Sequence, residues 1–312
     1  MSIFDQKVIK YEMKPLSSLE KVFPDETPVY RMECQMLSGL WGETVSFQVA
    51  YTGDFVMRER LDVRVVSELA EHVHVRTVEM VPVGRATNGI VDDNYLKTIS
   101  GLYPDLLKDL KDGKVIVYSR QWRSLWVDVD ITNEIPAGEY EIELQLIKEG
   151  EVVCSAKQKV TVIGTELPKL DIMHTEWMHA DCLADYYHVE VFSEEHWKLL
   201  ENYFQEYVKR DCNMMLTPLF TSPLDTAIGL ERTTCQLIDV EVKDGEYVFG
   251  FAKLKRWIDL CKKCGIEYFE MSHLFSQWGA KYAPKVVATV NGKKEKIFGW
   301  HTPVSYTHLP AH

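Results

Sequence analysis

The chain has 312 residues, more than one small domain needs, and with 46% hydrophobic and 26% charged residues it is globular rather than disordered. Its 35 Lys and Arg stand against 47 Asp and Glu, a net charge of −12 that argues against nucleic acid as a partner. There is no run of about 18 apolar residues, so no membrane-spanning helix is expected, and the segment from Met1 to Lys7 lacks the apolar stretch of a secretory leader, which points to a cytoplasmic protein.

Residues 1–163 alternate with period two. Val45, Phe47, Val49 and Tyr51 share one face, as do Leu61, Val63 and Val65. Leu125, Val127, Val129 and Ile131 alternate with Trp126, Asp128 and Asp130, and Tyr140, Ile142, Leu144 and Leu146 alternate with acids and Gln145. One buried and one wet face per strand is the antiparallel pattern. Turn residues fall between the runs, at Asp112-Gly113 and Pro136-Ala137-Gly138, so the segment reads as an antiparallel β-sandwich. A short helix is expected within 94–111. His72 and His74 read as solvated positions on one strand face.

The rhythm changes after Gly164 to Lys169, which reads as a joint. Ser193 is placed to cap a helix whose first turn holds Glu194 and Glu195, and Trp197, Leu200, Phe204 and Val208 follow at helical spacing. A hairpin is expected around Asp244-Gly245, then a helix over 251–264 with Lys262 and Lys263 in its last turn and Gly265 beyond it. Strands near 171–176, 213–217 and 266–270, alternating with helices, predict parallel βα units. A (β/α)8 (TIM) barrel takes roughly 250 residues. The fold expected from sequence is therefore a β-sandwich over 1–163 followed by an incomplete (β/α)8 barrel over 164–303. Residues 304–312 have no periodicity or cap and read as a non-native tail.

Function in such a barrel gathers at the C-terminal strand ends. These are rich in aromatic and polar residues here: Trp177, His179, Asp181 and Tyr187 after the first strand, Asp225, Glu231 and Arg232 after the second, His273, Gln277 and Trp278 after the third. Aromatic faces pack on the C–H side of a sugar while planar polar groups bond its hydroxyls, so the set suits a saccharide pocket. Each residue also has a structural reading. Trp177 or Trp278 can be core, His174 a satisfied structural histidine, Asp225 a turn cap, and Arg232 a partner of Glu231 or Asp225. Glu176 and Glu270 could form the carboxylate pair of ordinary glycoside hydrolysis.

His174, Glu176, His179, Asp181, His188 and His273 could ligate a metal. No His-Glu-x-x-His occurs, however, and neither metal nor cofactor is expected. There is also no G-x-G-x-x-G, P-loop or G-x-S-x-G motif. Seven cysteines, an odd number in a chain large enough to do without staples, suit a reducing compartment. Cys261 and Cys264, without a second pair, read as two positions on a helix.

Taken together, Thr175-Glu176-Trp177-Met178-His179, Pro223-Leu224-Asp225-Thr226, Glu231-Arg232, Gln236-Leu237 and His273 through Gly279 resemble the catalytic domain of glycoside hydrolase family 123, and the preceding half is similar to the β-sandwich before that barrel. The resemblance implies a retaining, substrate-assisted β-N-acetylgalactosaminidase. In such an enzyme the substrate's acetamido oxygen attacks the anomeric carbon, an Asp orients the acetamido group and an adjacent Glu is the general acid/base. No Asp-Glu dipeptide occurs between 164 and 303, and Asp25-Glu26 lies far from any expected strand end. The catalytic pair is therefore expected beyond the chain, which reads as an inactive, C-terminally truncated fragment. The resemblance carries only Trp177, His179, Asp181, Tyr187, Asp225, His273, Gln277 and Trp278, as a sugar-binding wall. A non-catalytic carbohydrate-binding protein and a metal-dependent hydrolase are the alternative readings.

Overall fold

In a computed structural model, the chain divides into two compact units, Met1–Pro168 and Lys169–His312. The residues described are 10–29, 36–55, 57–87, 89, 91–92, 94–169, 171–276 and 279–304. Gln277, Trp278 and positions 305–312 of the expected tail lie outside them. No helix of the described residues is long and apolar enough to cross a membrane.

The first unit is two five-stranded sheets packed face to face. Its strands are β1 (Lys10–Ser17), β2 (Met36–Trp41), β3 (Thr44–Asp54), β4 (Glu59–Val66), β5 (Val73–Val83), β6 (Gly101–Asp109), β7 (Lys114–Val117), β8 (Arg123–Asp130), β9 (Gly138–Lys148) and β10 (Glu151–Glu166). One sheet runs β1-β3-β8-β5-β6 and the other β2-β10-β9-β4-β7. The alternating residues read from the sequence supply the shared core: Phe47, Val49, Leu125 and Val127 from the first sheet, Leu61, Ile142, Leu144 and Leu146 from the second. The wet face of β8 is less wet than its composition implies. Asp128 is buried, and its Oδ1 accepts from Ser46 Oγ (2.6 Å) and Trp126 Nε1 (2.7 Å) while Oδ2 takes Arg76.

Two expectations fail in this unit. The pairing is not purely antiparallel, because β2 joins β10 in parallel. Residues 101–109 are a strand, not a helix: β6 is an edge strand on β5, where Pro104 is tolerated because one side of an edge needs no donor.

The second unit contains α1 (Ala180–Tyr187), α2 (Glu194–Val208), β11 (Met214–Thr217), β12 (Asp239–Lys243), β13 (Glu246–Gly250), α3 (Ala252–Cys264), β14 (Tyr268–Met271), β15 (Val286–Val290) and β16 (Lys293–Phe298). Ser193 Oγ accepts from His196 N (3.2 Å) at the start of α2, and Gly265 ends α3 at φ 103°, a left-handed position glycine takes without a Cβ clash. Leu200, Phe204, Trp257 and Cys261 pack with Met215 and Ile266 into one core. β11 and β14 pair in parallel, and a separate four-stranded sheet runs β13-β12-β15-β16.

This overturns the incomplete (β/α)8 barrel. Among the described residues strands outnumber the three helices, the only purely parallel sheet is the two-stranded β11–β14 pair, the larger sheets are antiparallel or mixed, and none closes into a barrel. The reasons are local. Residues 171–176 are not a strand, since Asn213 puts its side chain where a ladder neighbour would sit: Oδ1 accepts from His174 N (2.8 Å) and Nδ2 donates to Ile172 O (2.8 Å). The chain after β14 then turns into the β15–β16 hairpin, which pairs with β12 rather than extending the parallel pair.

Candidate functional site

Two short segments, the loop 174–179 before α1 and the loop after β11, bring together most of the residues singled out in the sequence. The first is fixed by Tyr207 on α2. Its hydroxyl accepts from Glu176 N (2.8 Å) and donates to Met214 O (2.7 Å), tying the loop to the start of β11. Burial pushes this hydroxyl's pKa up, so it stays a donor through the ordinary pH range.

With that backbone held, Trp177 stands half exposed. Its Nε1 donates to Glu270 Oε2 (2.9 Å) on β14, and its ring meets His273 edge to face, centroids 5.6 Å apart at 79°. Trp177, Glu270 and His273 thus form one group. Glu176, the other candidate carboxylate, is not part of it: its side chain is largely exposed, with Oε1 3.5 Å from His174 Nε2. His174 is itself occupied, Nδ1 lying 3.2 Å from Asp211 O.

Two residues beyond Trp177, His179 Nε2 lies 2.6 Å from Asp225 Oδ2. Asp225 is at φ 55°, a left-handed conformation that Asp tolerates better than most residues, and the imidazole is shielded while the carboxylate is open to solvent. Asp181, in the first turn of α1, holds Arg232 through Oδ2···Nε (2.8 Å) and Oδ1···Nη2 (3.2 Å), both side chains buried. Arg232 Nη1 also donates to Leu224 O (3.3 Å), beside Asp225. The expected pairing of Arg232 with Glu231 or Asp225 is therefore replaced by Asp181, and Glu231 instead pairs with Lys296 (2.7 Å) and Lys285 (3.8 Å).

Tyr187 is not with this group. It lies at the end of α1 against Tyr203 of α2 (hydroxyls 3.1 Å apart) and Tyr186. His188 caps α1 at φ 56°. Gln277 and Trp278 lie outside the described residues. The sequence reading missed the polar hollow behind the Asp225 loop. It holds about 20 Å³, room for one water, and is lined by Thr221, Ser222, Glu231, Lys285 and Trp300. Ser222 Oγ is buried there without a partner among the described residues. Hydroxyl, carboxylate and lysine so spaced in sequence carry no local motif. Among the described residues no three His, Cys, Asp or Glu are grouped to hold a metal ion.

A half-exposed indole beside a carboxylate and an imidazole is chemistry that stacks on a sugar face and bonds its hydroxyls. Comparison with known proteins agrees in class. The model of the glycoside hydrolase 123 catalytic domain matches residues 177–307. A family 123 glycoside hydrolase from Clostridium perfringens, studied for glycolipid glycan hydrolysis, superposes with a TM-score of 0.67 over 93% of this chain at 13% identity, a likeness of fold. This chain covers 52% of that protein, so it spans about half the neighbour's length. A β-glucosidase from Listeria innocua (TM-score 0.24, 10% identity, 51% of this chain and 17% of that one) and the N-terminal domain of PorA (0.24, 11%, 47% and 99%) are too distant to carry an argument. No curated protein matches. The family's catalytic-domain model is thus matched from Trp177 onward, and residues 177–307 of the chain are similar to the catalytic domain of glycoside hydrolase family 123.

Proposed function

We propose that this chain supplies the saccharide-holding part of a glycoside hydrolase acting on a terminal β-linked N-acetylhexosamine, N-acetylgalactosamine in the first place. The observation that carries the reading is Trp177, half exposed with its N–H fixed on Glu270 and its edge on His273. A fixed ring loses little freedom when a pyranose stacks on it, and the ordered carboxylate beside it is an acceptor for sugar hydroxyls. His179–Asp225 adds a second polar pair, and Asp181–Arg232 holds the loop that carries it. In a retaining, substrate-assisted reaction the acetamido oxygen is the nucleophile and an Asp-Glu pair orients it and moves the proton. No such dipeptide occurs in 169–312, so the residues here bind and orient the sugar rather than cleave it.

The test is saturation-transfer NMR on the full chain with methyl β-N-acetylgalactosaminide and methyl β-galactoside. The reading expects transfer to the ring and acetamido protons of the first and little to the second, with nitrophenyl β-N-acetylgalactosaminide hydrolysed no faster than in buffer. No transfer, or equal transfer to both sugars, would overturn it. The Trp177–Glu270 contact also favours a second reading, in which the ordered Glu270 carboxylate itself takes part in ordinary hydrolysis; turnover that disappears in Glu270→Gln would establish that one instead.

A further inference from the structure

The first unit has a groove of about 710 Å³ that the reading above does not use. It opens where the two sheets part, with β4 and β7 on one wall and β5 and β6 on the other, and its floor is Tyr51, Val78 and Val115, all buried. Cations line it in a chain whose net charge is −12.

The balance of partners leaves an excess of positive charge. Six cations line it against three acids: Glu59 is taken by Lys148 (2.9 Å) and Tyr11, while Glu79, which accepts from Thr77 (2.8 Å), and Asp109 enter no ion pair among the described residues. Arg60 is paired with Asp112 (2.9 Å) and Lys114 with Asp62 (3.2 Å). Lys108, Lys111 and Arg123 enter no ion pair among the described residues. Arg123 is the most telling. Its guanidinium lies 5.1 Å from the Tyr118 ring and gives Nη2 to Gln121 Oε1 (3.0 Å), yet Nε and Nη1 are shielded from solvent with no partner among the described residues. Shielded donors of a guanidinium are rarely left unpaired, because leaving them so forfeits their hydration without return.

We infer that this groove binds an anionic saccharide, with its sulfate or carboxylate held by the exposed ammonium groups of Lys108 and Lys111 and drawn further by the charge of Arg123. Lysine ammonium groups bind either anion as mobile point charges, and the volume falls within the range of small-ligand sites. The saccharide half of this inference rests on the carbohydrate reading above; the anionic half rests on the groove alone. Strong overall acidity disfavours a long polyanion such as nucleic acid.

Isothermal titration of the full chain tests it, using a sulfated N-acetylgalactosamine disaccharide, its unsulfated counterpart and a 12-nucleotide single-stranded DNA. The expected result is at least tenfold tighter binding of the sulfated probe than of the other two, weakening as salt rises. The sulfate preference should weaken in Arg123→Gln and vanish in Lys108→Glu/Lys111→Glu, which alters two exposed side chains. It should survive in Trp177→Ala. Equal binding of sulfated and unsulfated sugar, equal binding of DNA, or a preference unmoved by the lysine reversals would overturn the inference. Failure of the carbohydrate reading shows separately, as uncharged sugar that binds no more weakly to Trp177→Ala.

Discussion

Asp181 and Arg232 meet where almost no water reaches them, and their two contacts leave neither charge with an alternative partner in solvent. Removing one member strands the other, so Asp181→Ala should cost about 3–5 kcal/mol in denaturant unfolding of the chain. A loss below about 1 kcal/mol would show that Arg232 finds water instead. The same residues show what the sequence could disclose. His179 and Asp225 were both legible as candidates from residue type and from the loops they occupy, and they do bond each other. The partner of Arg232 was not legible, because it depends on Asp225 adopting φ 55° and on α1 turning Asp181 inward, neither of which a neighbour-by-neighbour reading specifies. Gly39 makes the point for packing. A Cβ there would stand 2.5 Å from both Ile131 Cδ1 and Val45 Cγ2, so Gly39→Ala should destabilise the first unit by about 1–3 kcal/mol in the same measurement. Nothing in the local sequence announces that crowding.

On the scale of elements, α2 and α3 were readable because each has its own stripe and its own stop signals: Ser193 at one start, Gly265 at the other end. Their contact is dominated by Trp257, fully buried and edge-on to Phe204 at 5.1 Å and 77°. Trp257→Ala should cost about 3–5 kcal/mol, and Trp257→Phe clearly less, because the indole N–H is buried without a partner among the described residues. His196 gives α2 a pH dependence. Its Nδ1 accepts from Phe192 N (2.9 Å), its Nε2 lies 2.9 Å from Ala180 O, and burial holds its pKa below the ordinary histidine value. The unfolded chain then binds the proton more readily than the folded one. The stabilisation is complete above about pH 6.5 and declines as pH falls below it. Melting curves should show a midpoint falling with acidity in that window and a shallower fall in His196→Gln; identical slopes would refute the assignment. Elements whose identity depends on a distant partner were misread: 101–109, drawn into an edge strand by β5, and 171–176, kept out of a ladder by the Asn213 side chain.

At the scale of the molecule, period-two patterning sufficed for the strands of the first unit, since a buried face leaves its mark in every second residue. It could not say that β2 would pair in parallel with β10, because both orientations bury the same face. In the second unit the alternation of strand and helix suggested a barrel, but that pattern specifies neighbours in sequence and not closure. The hairpin of β15 and β16, paired with β12, builds a separate mixed sheet in its place. The resemblance to glycoside hydrolase family 123 was legible nonetheless, because the residues that carry it lie in the loops around Trp177, Asp225 and His273, within the stretch that matches the family's catalytic-domain model, and reading them does not require the architecture to be guessed. The proposed role rests on those loops holding one sugar. Isothermal titration of methyl β-N-acetylgalactosaminide into the full chain and into Trp177→Ala tests that most directly. The account predicts saturable binding to the former and at least a tenfold loss in the latter, with the melting temperature unchanged. Equal affinity in the two proteins, or no binding to either, would contradict it.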